Sequence, residues 1–283
     1  MSSPRKLLAE RKLRAQKGRG QHFLMDPGVI RTILEKTNPD PKIPVLEIGP
    51  GLGAMTRPLL ERGFTIVGVE VDRGLVRYLE EEVRLLAPDR LTIISADILE
   101  VNLKDLAVKF GGPFFVLGNL PYQISSPLLF KLLAAKSAVA EAALMFQREM
   151  ADRLTAAPGT KNYGRLSVIF AYFARVTRLL DIGTTVFYPR PKVGSALLKI
   201  IFKDFLDPPV FSERLFTEVV RAGFAMRRKT LKNALVSVFD PEQVDQALRL
   251  SGIGPTRRAE TLSVAEFVAL TNAIQEQGDN NQV

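Results

Sequence analysis

The stretch Pro44-Val45-Leu46-Glu47-Ile48-Gly49-Pro50-Gly51-Leu52-Gly53 decides the fold: a short apolar run breaks into a turn with three closely spaced glycines. Glycines so close together let a backbone approach a ligand and take turns that side chains would block. A helix is expected over 54–62, and its N-terminus adds the positive end of a dipole. Glycines at 49, 51 and 53 depart from the dinucleotide fingerprint, whose third glycine stands three residues after the second, at position 54 here. The loop by itself is weak evidence, since a plain tight turn uses the same residues.

The sequence on either side supplies the context. Apolar runs at 44–48, 64–70, 91–96, 114–118 and 142–147 alternate with amphipathic stretches at 29–37, 54–62, 73–86, 103–110 and 127–135. Short apolar strands separated by helices imply a parallel sheet covered on both faces, a doubly wound α/β domain. Such sheets bind ligands at the carboxyl ends of their strands. Beyond this region a helix at 164–174 and strands at 175–180 and 195–202 are expected. Asp207, Pro208 and Pro209 mark a linker, and helical stretches follow at 212–225, 230–238, 241–250 and 263–275. The expected division is a basic arm with a nucleotide-binding domain over 1–207 and a small helical domain over 208–283.

Composition removes much chemistry from consideration. Among 283 residues there is no cysteine, and His22 is the only histidine. Thiolate metal sites, a cysteine nucleophile and a histidine-rich metal site are excluded. No apolar run is long enough for a membrane span, and a cytoplasmic protein is expected. The net charge of +9 is uneven: residues 1–21 carry Arg5, Lys6, Arg11, Lys12, Arg14, Lys17 and Arg19 against Glu10. Such an arm tracks a phosphate backbone or is a solvated tail, and charge does not separate the two. A second knot, Arg227, Arg228, Lys229 and Lys232, lies in the otherwise acidic final region, with Arg228 and Lys232 on one face if the spacing is helical. Two clusters point to a polyanionic partner.

Acidic residues follow the next two strands. Glu70 stands about 20 residues beyond Gly49, where a carboxylate accepts hydrogen bonds from a ribose. Asp97 follows the third strand and is either a turn residue or an acceptor for an adenine amino group. The fourth strand runs into Gly118-Asn119-Leu120-Pro121-Tyr122. Asn-x-Pro-Tyr at this place resembles the signature of amino-methyltransferases that use S-adenosylmethionine. The residue types suit that chemistry. An adenine N6 becomes more tetrahedral and more positive as it attacks a methyl group, so acceptors aimed at its hydrogens favour the reaction without a strong base. The Asn119 side-chain oxygen and the Leu120 carbonyl are the candidates, Pro121 holds Leu120 extended, and Tyr122 offers a ring on which an unstacked base can lie.

With these residues quoted, the chain resembles the ribosomal RNA adenine dimethylase family over almost its whole length. Gly20-Gln21-His22-Phe23-Leu24 is similar to the family's segment before the sheet, with His22 where Asn is common. Gln123 likewise stands where Asn is frequent. The run Phe187-Tyr188-Pro189-Arg190-Pro191-Lys192-Val193-Gly194-Ser195-Ala196 resembles a second hallmark. The resemblance implies a Rossmann-like S-adenosylmethionine-dependent domain with a C-terminal helical domain. It implies a cofactor site at His22, Leu24, Gly49, Gly51, Glu70, Asp97 and Asn119, and an acceptor site at Asn119, Leu120, Pro121, Tyr122 and Phe187, whose ring flanks the flipped adenine. Arg227, Arg228, Lys229 and Lys232 would face RNA. The implied reaction places two methyl groups on each of two adjacent adenosines near the 3′ end of small-subunit ribosomal RNA, in a mature subunit or an assembly intermediate. S-adenosylhomocysteine is the expected product and no metal is expected; a monomer is the default expectation, on which the sequence is silent. Rival readings are a large-subunit methylase of the macrolide-resistance type, a DNA adenine methyltransferase, a non-catalytic ribosome-assembly factor and an NAD-linked oxidoreductase.

Overall fold

The computed structural model describes residues 4–11, 13–16, 18, 20–226 and 228–280, with Tyr122 and 278–280 described in backbone alone. Among the described residues nine strands follow in chain order: β1 (Phe23–Leu24), β2 (Val45–Ile48), β3 (Ile66–Glu70), β4 (Leu91–Ser95), β5 (Phe114–Asn119), β6 (Val139–Gln147), β7 (Ala174–Ile182), β8 (Phe187–Tyr188) and β9 (Ser195–Phe202). Every residue of β2 and β3 is buried, Glu47 and Glu70 included, as strands in the middle of a covered parallel sheet must be. In β4, by contrast, only Leu91 is buried. It is the edge strand.

The large sheet has the order β4-β3-β2-β5-β6-β9-β7. Strands β4 to β6 are mutually parallel, with Ile48 level with both Val69 of β3 and Gly118 of β5. Strand β9 returns antiparallel to β6, so Ser195 lies beside Gln147. The chain moves outward from β2 to β3 and β4, then crosses back to place β5 on the other side of β2. That reversal opens a crevice at the carboxyl ends of β2 and β5. The fold therefore puts the Gly49 loop and Asn119 at one place.

Local chemistry sets the ends of several helices. Pro27–Thr37 starts on Asp26, whose carboxylate accepts from Val29 N–H at 2.9 Å, and stops at Asn38 in the left-handed region. The helix expected over 73–86 is continuous only in part: Arg73–Tyr78 is α-helical, Leu79–Val83 is a π turn and Arg84–Leu86 is 3-10. The widened turn keeps Leu79 and Val83 buried, with both side chains close upon Gly53.

Two compact units emerge, one of residues 1–151 with 177–202 and the other of 152–176 with 203–283. The boundary expected at 207/208 lies near the last of three crossovers, at 202/203, while 152–176 belongs with the helical unit. Within that unit Tyr172 and Phe173 surround Phe216, with ring centroids 4.4 and 5.9 Å away. This aromatic cluster draws the segment before β7 to the helix Glu213–Gly223, a pairing that hydropathy along the chain does not reveal.

The start of the chain differs from a solvated tail. Pro4–Glu10 is helical, and Leu8 is buried in the same apolar cluster as Phe23, Leu24 and Phe187. Lys12, Lys17 and Arg19 lie outside the described residues. Among the described residues no helix is long and apolar enough to cross a membrane.

Candidate active site

A cavity of about 390 Å³ opens at the carboxyl ends of β2, β3 and β5, within the size range of small-molecule sites. Its floor is the glycine loop. Gly49 has φ of +63°, and a Cβ added there would meet no protein atom within 4 Å. Gly51 (φ +58°) lies so close to the Phe23 ring that a Cβ would approach it at 3.2 Å. The backbone at these positions thus leaves room on the cavity side and packs tightly behind.

Three acids line the cavity. Glu70, 4% exposed, accepts from Gly51 N–H at 3.1 Å and from Asp72 N–H at 3.0 Å, one bond to each carboxylate oxygen. Burial raises its pKa against the pull of those N–H groups. Each oxygen retains a further acceptor position. Asp97 accepts from Leu99 N–H at 2.9 Å, so it is a turn residue and a cavity residue at once. Glu47 is the acid that sequence reading did not assign. It is 1% exposed, its Oε2 accepts from the Thr56 hydroxyl at 2.6 Å, and its Oε1 has no partner. Burial pushes it up to about 7; the Thr56 bond opposes this and the neighbouring Glu70 adds to it.

At the end of β5 the Asn119 side chain donates from Nδ2 to the His22 carbonyl at 2.8 Å. A carbonyl only accepts, so the amide nitrogen must face His22, leaving Oδ1 as the acceptor. Among the described residues neither Asn119 Oδ1 nor the Leu120 carbonyl is engaged by another protein group. The His22 ring in turn holds Nδ1 2.6 Å from the Pro189 carbonyl, which requires the hydrogen on Nδ1.

The two segments singled out on either side of the sheet meet here. Strand β1 pairs antiparallel with β8, Phe23 beside Tyr188 and Leu24 beside Phe187. Leu24 is buried and lines the cavity, as does Phe187. The Phe187 ring is only 2% exposed and belongs to the apolar cluster, so it stands as a packed wall and not as an open stacking face. The Tyr122 side chain and Arg227 lie outside the described residues.

The second basic knot departs from the expected helical face. Arg228 and Lys229 are exposed and precede Thr230, which caps the helix Leu231–Leu235, so Arg228 does not share a helix face with Lys232. Lys232 is paired with Asp245 at 2.6 Å. The pair offsets its charge. Among the described residues no group of three or more His, Cys, Asp or Glu is gathered that could hold a metal ion.

Comparison with known proteins adds to this geometry. The model of a family described as ribosomal RNA adenine dimethylase matches residues 12–276. A ribosomal RNA small subunit methyltransferase A from Photorhabdus laumondii is 41% identical over 263 residues, covering 93% of this chain and 94% of that protein. A crystal structure of a dimethyladenosine transferase from Plasmodium falciparum superposes with a TM-score of 0.74, at 24% identity over 90% of this chain and 98% of its own. That of the 23S rRNA methyltransferase ErmE gives 0.67, at 25% identity over 89% of this chain and 99% of its own.

Proposed function

This chain belongs to the ribosomal RNA adenine dimethylase family, and from that premise we propose that it dimethylates N6 of two adjacent adenosines near the 3′ end of small-subunit ribosomal RNA, with S-adenosylmethionine as methyl donor. The 41% identity with the small-subunit enzyme, against 25% with the 23S methyltransferase, favours the small subunit over the large.

The cavity fits the cofactor. Gly49 leaves space that any side chain would fill. Glu70, with acceptor capacity left on both oxygens, takes the ribose hydroxyls, and Asp97 takes the adenine amino group. The orphaned Glu47 oxygen suits the ammonium group of the amino-acid end. Leu24 and the His22 backbone close the wall. When bound, the cofactor supplies a methyl group made electrophilic by a positive sulfur.

Everything else falls to the protein. Asn119 Oδ1 and the Leu120 carbonyl accept from the acceptor nitrogen, favouring the charge it develops during attack. Pro121 holds Leu120 extended so that its carbonyl stays in place. The target base must leave its stack to enter, which an RNA loop permits more readily than a helix. Tyr122 and Phe187 serve as its walls. Arg228 and Lys229 bind the RNA backbone from the helical unit, with the basic arm as a second contact.

One observation carries this reading: the acceptor oxygens at the end of β5 share a cavity with the carboxylates that end β3 and follow β4. The test is to give labelled cofactor and enzyme to unmodified small subunits, naked RNA and large subunits, then digest each RNA. Label is expected in dimethyladenosine from small subunits. Label in large-subunit RNA alone, or in another nucleoside, would refute it.

A further inference from the structure

The arm that precedes β1 is tied to both sides of the cavity. On the β3 side, Gln16 Nε2 donates to Asp72 Oδ2 at 2.7 Å and Gln21 Nε2 to the same oxygen at 3.2 Å, while Gln21 Oε1 accepts from Gln16 N–H at 2.8 Å. On the β5 side, the His22 carbonyl takes the Asn119 amide, and Gln123 Nε2 donates to the Gly18 carbonyl at 3.2 Å. Leu8 is buried behind this bridge, Leu13 packs on Gly74 and Arg11 pairs with Glu82.

Asp72 is the point at which these ties converge. It is 8% exposed, and Oδ1 accepts from Gly74 N–H at 2.9 Å and Leu75 N–H at 3.4 Å, capping Arg73–Tyr78. With the two glutamine amides on Oδ2, four donors occupy a group with about four acceptor positions. Its own N–H holds Glu70 Oε1 at 3.0 Å. One residue therefore holds Glu70 by its backbone and the arm by its side chain. A shift at either end must disturb the other, because a filled carboxylate has no spare position with which to compensate.

We propose that Asp72 is a positioning residue that latches the N-terminal arm to the Glu70 end of the cofactor site, so that arm order and cofactor occupancy rise together. It rests on the cofactor assignment to this cavity. Coupling of this kind is reciprocal: what the cofactor does for the arm, the arm does for cofactor affinity.

The test combines limited trypsin cleavage at Arg11 and Arg14, calorimetry with S-adenosylmethionine, and steady-state kinetics on the full chain. In the wild type, saturating cofactor is expected to slow arm cleavage by roughly tenfold, the scale of ordinary coupling energies. Gln16→Ala keeps the helix cap and should weaken cofactor binding about fivefold and remove most of the protection. Its kcat at saturating cofactor should stay at the wild-type level, so the effect appears in KM alone. Asp72→Asn, which sets an amide NH2 against glutamine donors or backbone N–H groups, should do the same more strongly. A Gln16→Ala protein with wild-type affinity and undiminished protection would overturn the latch while leaving the cofactor assignment intact. A wild type that binds no cofactor would overturn both.

Discussion

The carboxamide nitrogen of Asn119 donates to the main-chain carbonyl of His22 at 2.8 Å, across 97 residues of sequence. This bond sets which way the amide faces and, in the proposed role, which atom meets the substrate. Asn119→Ala removes the acceptor, and methyl transfer should fall by about 10²–10³, the cost of losing one oriented group of this kind. RNA binding should persist, since the proposed RNA contacts lie in the basic clusters. Asn119→Asp keeps acceptors but sets a carboxylate oxygen against the His22 carbonyl, so it too should lose kcat. Single-turnover rates beside a filter-binding assay would check both; equal loss of binding and rate would point to misfolding.

Glu70→Ala deletes a buried carboxylate that holds Gly51 and Asp72 N–H groups and, by the present account, the ribose. Hydrogen bonds to a charged group contribute about 1.5–3 kcal/mol each, so cofactor affinity should fall by at least tenfold. RNA affinity should change little. Calorimetry showing unchanged cofactor binding would remove Glu70 from the site.

Glu47 offers a test of stability against pH. Burial lifts it from the ordinary 4.5 to about 7, so the folded protein holds a proton that the unfolded chain releases. Its favourable contribution is full below about pH 4.5 and is lost as pH rises through about 7. Glu47→Gln keeps the Thr56 bond without the charge. It should therefore be more stable than the wild type near pH 8, by at most about 3 kcal/mol, with the gap closing toward pH 4.5. Urea unfolding at several pH values measures this, and a constant gap would contradict it.

Charge reversal at Arg228 and Lys229 should weaken binding to small subunits and reduce the steepness of its salt dependence by about one for each phosphate no longer neutralised. The same change at Lys232, already paired with Asp245, should act through local repulsion and leave the salt slope nearly unchanged. Titrations across salt concentrations would separate the two.

Gly49→Ala places a Cβ in the cavity at a backbone conformation of φ +63°. The left-handed conformation costs about 1–2 kcal/mol for a residue with a side chain. The loss in cofactor affinity should exceed that stability loss, because the methyl group occupies ligand space. Equal stability and affinity losses would mean that the position is only structural.

Much of this was legible before the structure. The parallel strands were, because β2 and β3 are apolar but for Glu47 and Glu70, and glycines punctuate the turn between β2 and its helix. Gly49, Glu70, Asp97 and Asn119 follow strand ends, so the alternation of elements already aligns them at one edge of a sheet. What stayed hidden depends on contacts between distant segments. Two-residue strands such as β1 and β8 have no periodicity to detect, and only their pairing brings Leu24 beside Phe187. Leu8 looks like one apolar residue in a basic tail until the cluster that buries it is seen. Glu47 stands in the glycine stretch, but its orphaned oxygen is a property of burial, which a sequence does not show. Phe187 shows the opposite limit: the resemblance gives it a role facing a base, and packing leaves its ring only 2% exposed.

The most direct measurement is a crystal structure with S-adenosylmethionine soaked into the protein. The ribose hydroxyls should lie within hydrogen-bond reach of Glu70, the adenine amino group at Asp97, and the methyl group on the side of the cavity that Asn119 Oδ1 and the Leu120 carbonyl line. A cofactor seated away from Glu70, or an Asn119 side chain turned out of the cavity with the cofactor bound, would contradict the account.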